Sequence, residues 1–458
     1  MPFRSLHFIG VGGAGMNPLA QIANELGLKV TGSDKDLLTE TIRAGFVCWS
    51  PHDTSCWENQ SYELPERVVL STAITADNCE LVYLKNRQVD VMHRSDLLQT
   101  FADLFPCQIV ISGTHGKTTT TALTAWILES CDYPVTWVLG GQLAQSKRAY
   151  GWSPQAKAFL LEGDESDQSF LKPKADFSLV TALEPDHLEN YEGSFEVQIT
   201  KFQEFLSKSH FGIICLDCPN ARQYLAPLAQ MTYSSIYPEA DWYLDQNQNV
   251  YFRGEPCGML EIPKASGRHN ALNALAAIAL ASKLGLETAR AIKSLQNFPG
   301  VYRRFEEIGR SHEHIRLIDD YAHHPSEIKA AIECARSLLS PEGRLLVAFQ
   351  PHLPTRLRDL WEEFKDSFQG AHRVWISDLY IARGKEISGI NSARLVEEIN
   401  QKHSADKVVY VAGKPENLIE PLLAFVKPND LILILGAGDI TRIRETLFGK
   451  ISSVTIKS

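Results

Sequence analysis

Apolar residues in this chain come in short blocks, each followed by a glycine-rich or polar turn and then by a stretch whose apolar positions recur three and four apart. That alternation predicts strand, turn and helix, repeated, with the strands side by side in parallel sheets. It begins at once. Residues 6–9 read as a buried strand, Gly10, Gly12, Gly13 and Gly15 as a tight turn, residues 16–26 as a helix stopped by Gly27, and residues 28–31 as the next strand. Residues 67–71 and 89–93 extend the same open sheet, and Pro106 marks its boundary. A second section opens on a strand from residue 109 and a helix over 118–130, with strands at 135–139, 158–161 and 179–181 and helices at 271–284 and 287–295. From about residue 309 the rhythm returns: a strand from 315, helix 325–339, strand 344–349, helix 356–368, strand 373–376, helix 392–401 and strands 408–411 and 431–435. The predicted fold is α/β with three domains: Rossmann-like over 1–106, a central phosphate-binding domain with a mainly parallel sheet over 107–308, and a second Rossmann-like domain over 309–458. No internal repeat or low-complexity segment interrupts it.

Composition narrows the class. At 458 residues, 44% hydrophobic and 22% charged, the chain has enough apolar residues for several cores. A net charge of −10 without a dense Lys/Arg stretch argues against nucleic acid as partner. No long apolar span exists, and residues 1–20 lack the basic start and apolar core of a signal peptide, so a cytoplasmic location without membrane insertion is expected. Nine scattered cysteines read as reduced thiols; Cys215 and Cys218 have CxxC spacing but no redox context, and a structural role is expected for them.

The strongest chemical signal is the string from Gly113 through Thr114, His115, Gly116, Lys117, Thr118 and Thr119, lying between an apolar strand and a helix. Glycines there admit backbone N–H groups to phosphate oxygens, the helix N-terminus faces them, and Lys117 adds a full charge. Thr118 is the expected Mg²⁺ ligand. The commonest P-loop pattern wants a glycine where this chain has Ile111. Glu162 at one strand end and His187 after another could complete a cation site. His269 and Asn273, four apart on a helix, suit an adenine or ribose, and adjacent Arg303 and Arg304 suit a phosphate. Asp320, His323, His324, His352 and Arg356 all fall at strand C-terminal ends; their spacing does not fit a zinc set. The first glycine turn, with Asp34 19 positions after Gly15, is by pattern alone a nicotinamide or flavin fingerprint, although the same geometry suits any pyrophosphate.

Taken in order, these strings, with His269–x–x–x–Asn273, Arg303-Arg-Phe-Glu306, Asp319-Asp-Tyr-Ala-His-His-Pro325, Gln350-Pro-His352 and Leu435-Gly-Ala-Gly-Asp439, resemble the Mur ligase family of peptidoglycan synthesis over nearly the whole chain. The resemblance implies a uridine-nucleotide domain, an ATPase domain and an amino-acid domain. It moves the first glycine turn from a nicotinamide to the UDP pyrophosphate. Within the family the strings sit nearest to members that join L-alanine to UDP-N-acetylmuramate through an acyl phosphate, using ATP and Mg²⁺ and acting as a monomer or weak dimer. By resemblance, Gly10, Gly12, Gly13, Gly15, Asp34, Ser71, His93 and Arg94 would bind the UDP-sugar. Residues 113–119, with His269, Asn273, Arg304 and Asp320, would bind ATP, Thr118 would bind a first Mg²⁺, and Glu162 with His187 a second. Tyr321, His323 and Arg356 would form the amino-acid pocket; Lys117, Arg304, His323 and Arg356 would act in catalysis, with His323 or His324 assisting amine deprotonation. Two alternatives remain. A recycling member adding a whole tripeptide shares the cradle but typically has a tyrosine where Ser166 stands, and a catalytically idle homologue would not need Lys117, Glu162, His187 and Arg304 together. One departure falls in the amino-acid pocket, where Leu353 replaces a frequent arginine. Lys201 lies near the position of a carbamylated lysine in sister ligases and is not among the assigned ligands.

Overall fold

The computed structural model describes residues 1–35, 45–264, 267–382, 385–403 and 407–453. They form three sheets in two compact units: one comprises residues 1–259 and 274–294, the other residues 260–273 and 295–458. The helix Arg268–Lys283 belongs partly to each.

The first unit holds two of the sheets. The N-terminal sheet runs Val47–Trp49, Lys29–Ser33, Ser5–Ile9, Arg67–Leu70, Asp90–His93, with every pairing parallel. Its order reverses between Ser5–Ile9 and Arg67–Leu70, and in open parallel sheets ligands bind beyond the strand ends at such a reversal. The glycine turn after Ile9 lies there. The ten-stranded second sheet is parallel from Trp242–Leu244 through Met231–Ser234, Phe211–Cys215, Phe177–Val180, Gln108–Ser112 and Ala158–Glu162 to Val135–Val138. Antiparallel strands finish both edges: Asn249–Phe252 and Glu255–Met259 on one side, Tyr150–Gly151 on the other. These edges and the strands over 211–244 were not among the sequence-derived elements. Gln108–Ser112 is buried along its whole length between two parallel neighbours, which is why it reads as an unbroken apolar run.

The second unit carries the third sheet, ordered Glu306–Arg310, Arg316–Asp320, Leu431–Leu435, Leu345–Phe349, Arg373–Ile376, Val408–Tyr410, with only the first pairing antiparallel. Helix Pro325–Ser337 packs Ile328, Ala331, Ile332 and Ala335 into its core. The helix expected over 356–368 is two short ones, Pro354–Asp359 and Trp361–Lys365, broken at Leu360, whose backbone leaves the helical region. The apolar period continues across that break, so periodicity alone reads it as one element. All nine cysteines are free thiols, and burial pushes Cys215 up to about 12. Among the described residues no helix is long and apolar enough to cross a membrane.

Candidate functional site

Three neighbouring parallel strands end at the phosphate cradle: Gln108–Ser112 leads into Gly113, Ala158–Glu162 ends on Glu162, and Phe177–Val180 leads into Thr181. Gly113 has φ +133°, and a Cβ on it would stand 2.3 Å from Thr181 Oγ1 and 2.8 Å from the Ala182 nitrogen. Thr114 N–H donates to the Ala182 carbonyl at 3.0 Å, its hydroxyl accepts from Glu184 N–H at 3.1 Å, and His115 Nε2 lies 3.1 Å from the Glu184 carboxylate. The turn is thus clamped to the adjacent strand end. Replacing Gly113 by alanine is expected to cost about 2–3 kcal/mol of stability, from backbone strain plus the clash, and to abolish nucleotide binding. A thermal melt and a nucleotide titration of the variant check both.

Gly116 (φ +80°) delivers the chain into helix Lys117–Ser130, with Thr118 and Thr119 buried in its first turn. Lys117 Nζ donates to the Gly113 carbonyl at 2.7 Å and pairs with Glu165 at 2.5 Å. Burial disfavours its ammonium, but Glu165, Asp164 and Glu162 outweigh burial and hold its pKa above the ordinary value. Glu165 is itself buried, and burial pushes its carboxyl upward. The sequence reading gave Glu165 no role; it stood only as one acid in the string 162–167. Thr118 Oγ1 donates to Glu162 at 2.8 Å, and the other Glu162 oxygen accepts from Gly140 N–H at 2.8 Å. A hydroxyl and a carboxylate side by side are the hard oxygen donors a Mg²⁺ ion takes. His187 has left-handed backbone (φ 52°), with Asp186 and Glu189 as its near partners at 3.7 and 3.6 Å.

At the first glycine turn, Asp34 accepts from Gly12 N–H at 2.8 Å, so part of its capacity goes to shaping the loop. Arg94 pairs with Asp164 and Asp167 at 3.3 and 3.0 Å, tying the N-terminal sheet's helix Arg94–Ala102 to the acidic string of the central sheet. His93 caps that helix, its Nδ1 accepting from Ser95 N–H. Its Nε2 is buried and has no hydrogen-bond partner among the described residues. Ser71 lies in the turn after Arg67–Leu70, its hydroxyl accepting from Ala73 N–H at 3.4 Å. Lys201 sits on helix Phe195–Lys208 and pairs with Glu204 at 3.0 Å.

In the second unit, Tyr321, His323, His352 and Tyr380 form a chain of rings, with centroids 5.3, 5.9 and 5.6 Å apart in turn. Burial and the buried Arg356 guanidinium lower His323 to about 3, so the ring is a neutral base at physiological pH. Tyr380 escaped the sequence reading because no motif surrounds it. His324, by contrast, is a helix cap: its Nδ1 accepts from Ser326 N–H, while Glu327 accepts from both histidine N–H groups. Leu353 is buried in a left-handed backbone conformation (φ 65°) at the start of Pro354–Asp359. Asp320, expected at the ATP ribose, accepts from Phe305 N–H at 2.7 Å and Ala322 N–H at 2.6 Å; it shapes the loop presenting Arg304. Burial raises it to about 7. Both arginines lie over the Tyr321 ring, at 5.0 and 4.9 Å, but their ion pairing separates them: Arg303 faces buried Asp319, Nε 3.6 Å away, whereas Arg304 pairs with no carboxylate among the described residues.

His269 and Asn273 open the helix Arg268–Lys283. Burial lowers His269 to about 4, beside Glu327, which favours the charged form, and Arg304, which opposes it. An unfolded histidine takes its proton near 6.5 and the folded one only near 4, so acidification across that window favours unfolding. Relative to a His269→Asn variant, the wild type is expected to lose roughly 3 kcal/mol between pH 6.5 and 4. Parallel urea titrations of the two proteins over that range test this.

Comparison with known proteins completes the geometry. Models of the Mur ligase family match residues 5–106 (catalytic domain), 111–281 (middle domain) and 303–438 (glutamate ligase domain). The chain belongs to the Mur ligase family. A UDP-N-acetylmuramate–L-alanine ligase of Pelotomaculum thermopropionicum is 39% identical, with 95% of each chain covered. Among solved structures, the UDP-N-acetylmuramate–alanine ligase of Thermotoga maritima superimposes with a TM-score of 0.81 at 26% identity, covering 98% of this chain and 99% of that one. A murein peptide ligase of Psychrobacter arcticus shares the fold, with a TM-score of 0.68, 21% identity and 99% of each chain covered. The three sheets described above are those of a three-domain Mur ligase.

Proposed function

We propose that this Mur ligase joins L-alanine to the lactoyl carboxylate of UDP-N-acetylmuramate at the expense of ATP. The observation that carries the reading is the full-length likeness to a UDP-N-acetylmuramate–L-alanine ligase, coupled with a phosphate cradle whose lysine is intact and charged. The carboxylate oxygen takes the γ-phosphoryl group, with cleavage of its bond to ADP. The alanine nitrogen then attacks the acyl carbon, the amide forms, phosphate leaves and the amine gives up a proton.

Each step gathers negative charge, and fixed cations and N–H donors stabilise it. Lys117 and the N–H groups of the cradle neutralise the transferring group, and Arg304 is the second cation assigned to it. Thr118 would hold a first Mg²⁺, and Glu162 with His187 a second. When bound, the ions would supply Lewis-acid charge neutralisation on phosphoryl oxygens. Arg356 pairs with the alanine carboxylate, and neutral His323 accepts the amine proton. His269 and Asn273 lie at the adenine, with Asp320 at the ribose. The UDP end lies on the first glycine turn with Asp34, Ser71, His93 and Arg94. Domain boundaries at about residues 106 and 308 divide these roles.

Phosphate release from ATP and Mg²⁺ with UDP-N-acetylmuramate is the test, with L-alanine, glycine, L-serine and the L-Ala-γ-D-Glu-meso-diaminopimelate tripeptide in parallel. Release dependent on L-alanine is expected. Release with the tripeptide alone would move the chain to precursor recycling, and silence with all four would leave an idle homologue.

A further inference from the structure

The first glycine turn takes its shape from a neighbouring strand. Gly10 and Val11 N–H both donate to the Ser33 carbonyl, at 2.8 and 3.0 Å, and Gly12 N–H donates to the Asp34 carboxylate at 2.8 Å. Gly13 N–H closes onto the Gly10 carbonyl at 3.1 Å. The next two N–H groups, of Ala14 and Gly15, have no hydrogen-bond partner among the described residues. Arg94 lies beside them: a Cβ on Gly15 would stand 3.1 Å from its Nη1. Two open donors and a guanidinium make an anion site, and the Ser33-Asp34 corner decides where those donors point.

That corner is held from behind. Ser33 Oγ donates to the carboxylate of Glu80, in the first turn of helix Cys79–Asn86. Glu80 is wholly buried. Its Oε1 accepts from the Trp49 indole at 2.6 Å and from Asp53 N–H at 3.0 Å; Oε2 faces His52 Nδ1 at 3.2 Å and His7 Nε2 at 3.6 Å, besides Ser33. Burial opposes ionisation, but His7, Ser33 and the Asp53 N–H overcome it and hold the carboxyl at about 2. A buried anion with donors from two strand ends and a loop fixes geometry, because each donor left unpaired there is costly. No step of the proposed reaction employs it.

We propose that Glu80 is a positioning residue for the nucleotide's diphosphate: by holding Ser33 it sets the glycine turn so that Ala14 N–H, Gly15 N–H and Arg94 address one anion. The proposal rests on reading this turn as the UDP site. Glu80→Gln is the first test, since glutamine retains one accepting oxygen and must turn its NH₂ toward donors on the other side. Calorimetric titration of the full-length enzyme with UDP, and KM for UDP-N-acetylmuramate, are expected to weaken about tenfold. KM for ATP and kcat at saturation should stay within about twofold, with partial recovery in Glu80→Asp. Ser33→Ala removes the link itself and should weaken UDP about fivefold, so it decides the matter if Glu80→Gln fails to fold. Unchanged UDP affinity in the folded variants overturns the proposal, as does a parallel rise of both KM values with falls in kcat and melting temperature, the mark of a purely structural carboxylate. A wild-type enzyme that forms product yet uses another part of the chain for UDP would instead overturn the assignment of the turn.

Discussion

Replacing Lys117 by methionine is expected to lower kcat/KM for ATP by at least about 10³-fold, or roughly 4 kcal/mol of transition-state stabilisation. Methionine keeps most of the side chain's volume and removes only the charge and its donors. The ammonium sits between the Gly113 carbonyl and Glu165, inside a turn whose other contacts, Thr114 to Ala182 and Glu184, do not involve it. The cradle should therefore survive the substitution, and the loss should appear in chemistry. Breaking a buried ion pair ordinarily costs about 3–5 kcal/mol of stability because one charge is stranded. Here the cost should be about 1–3 kcal/mol, since burial already pushes Glu165 toward its neutral form and protonation relieves the stranded charge. ADP-release kinetics and a thermal melt on one preparation separate these effects. A variant that kept a tenth of wild-type activity would remove Lys117 from the mechanism.

What the chain discloses by itself follows from which interactions are local. Glycine turns between an apolar strand and a helix are local, so the turns at Gly10–Gly15 and Gly113–Gly116 and the strands feeding them are legible from spacing alone. The edge hairpin Asn249–Phe252 and Glu255–Met259 is not, because its outer strand is largely exposed and carries Pro256 and Gly258, which sequence rules read as turn residues. Partnerships across the sheet are hidden too. Glu165 reads as one acid among several, and only the fold puts it 2.5 Å from Lys117, 48 positions earlier. Glu80 carries no motif, and its partners come from His7, Ser33, Trp49 and the 52–53 loop. His324 shows the converse: beside a proposed base it looks only chemical in sequence, and the fold alone shows that its Nδ1 also caps the helix that Pro325 starts.

The adjacent arginines give the second large effect, because the fold assigns them different work. Arg304→Ala is expected to lower kcat by about 10²–10³-fold with little change in stability. Its guanidinium rests over the Tyr321 ring at 4.9 Å without an ion pair among the described residues, and an exposed-type cation–π contact contributes only about 0.5–1 kcal/mol to the fold. Its full charge thus remains available to a phosphoryl group. Arg303→Ala should do the reverse. Asp319 is wholly buried, with Arg303 and Arg444 as its cationic neighbours at 3.6 and 3.5 Å and a Thr441 hydroxyl at 2.7 Å. Removing Arg303 leaves one guanidinium for that carboxylate and also frees the Gly436 carbonyl it binds. The expected cost is about 3 kcal/mol of stability, below the top of the range for a stranded buried charge because Arg444 remains. At a temperature where both variants stay folded, Arg303→Ala should keep kcat within about tenfold of wild type, its loss tracking the fraction folded. Equal kcat losses in two fully folded variants would show that the pair acts on substrate as a unit. A destabilised Arg304→Ala with near-normal turnover would exchange the two assignments, leaving Arg303 as the cation that meets the transferring phosphoryl group.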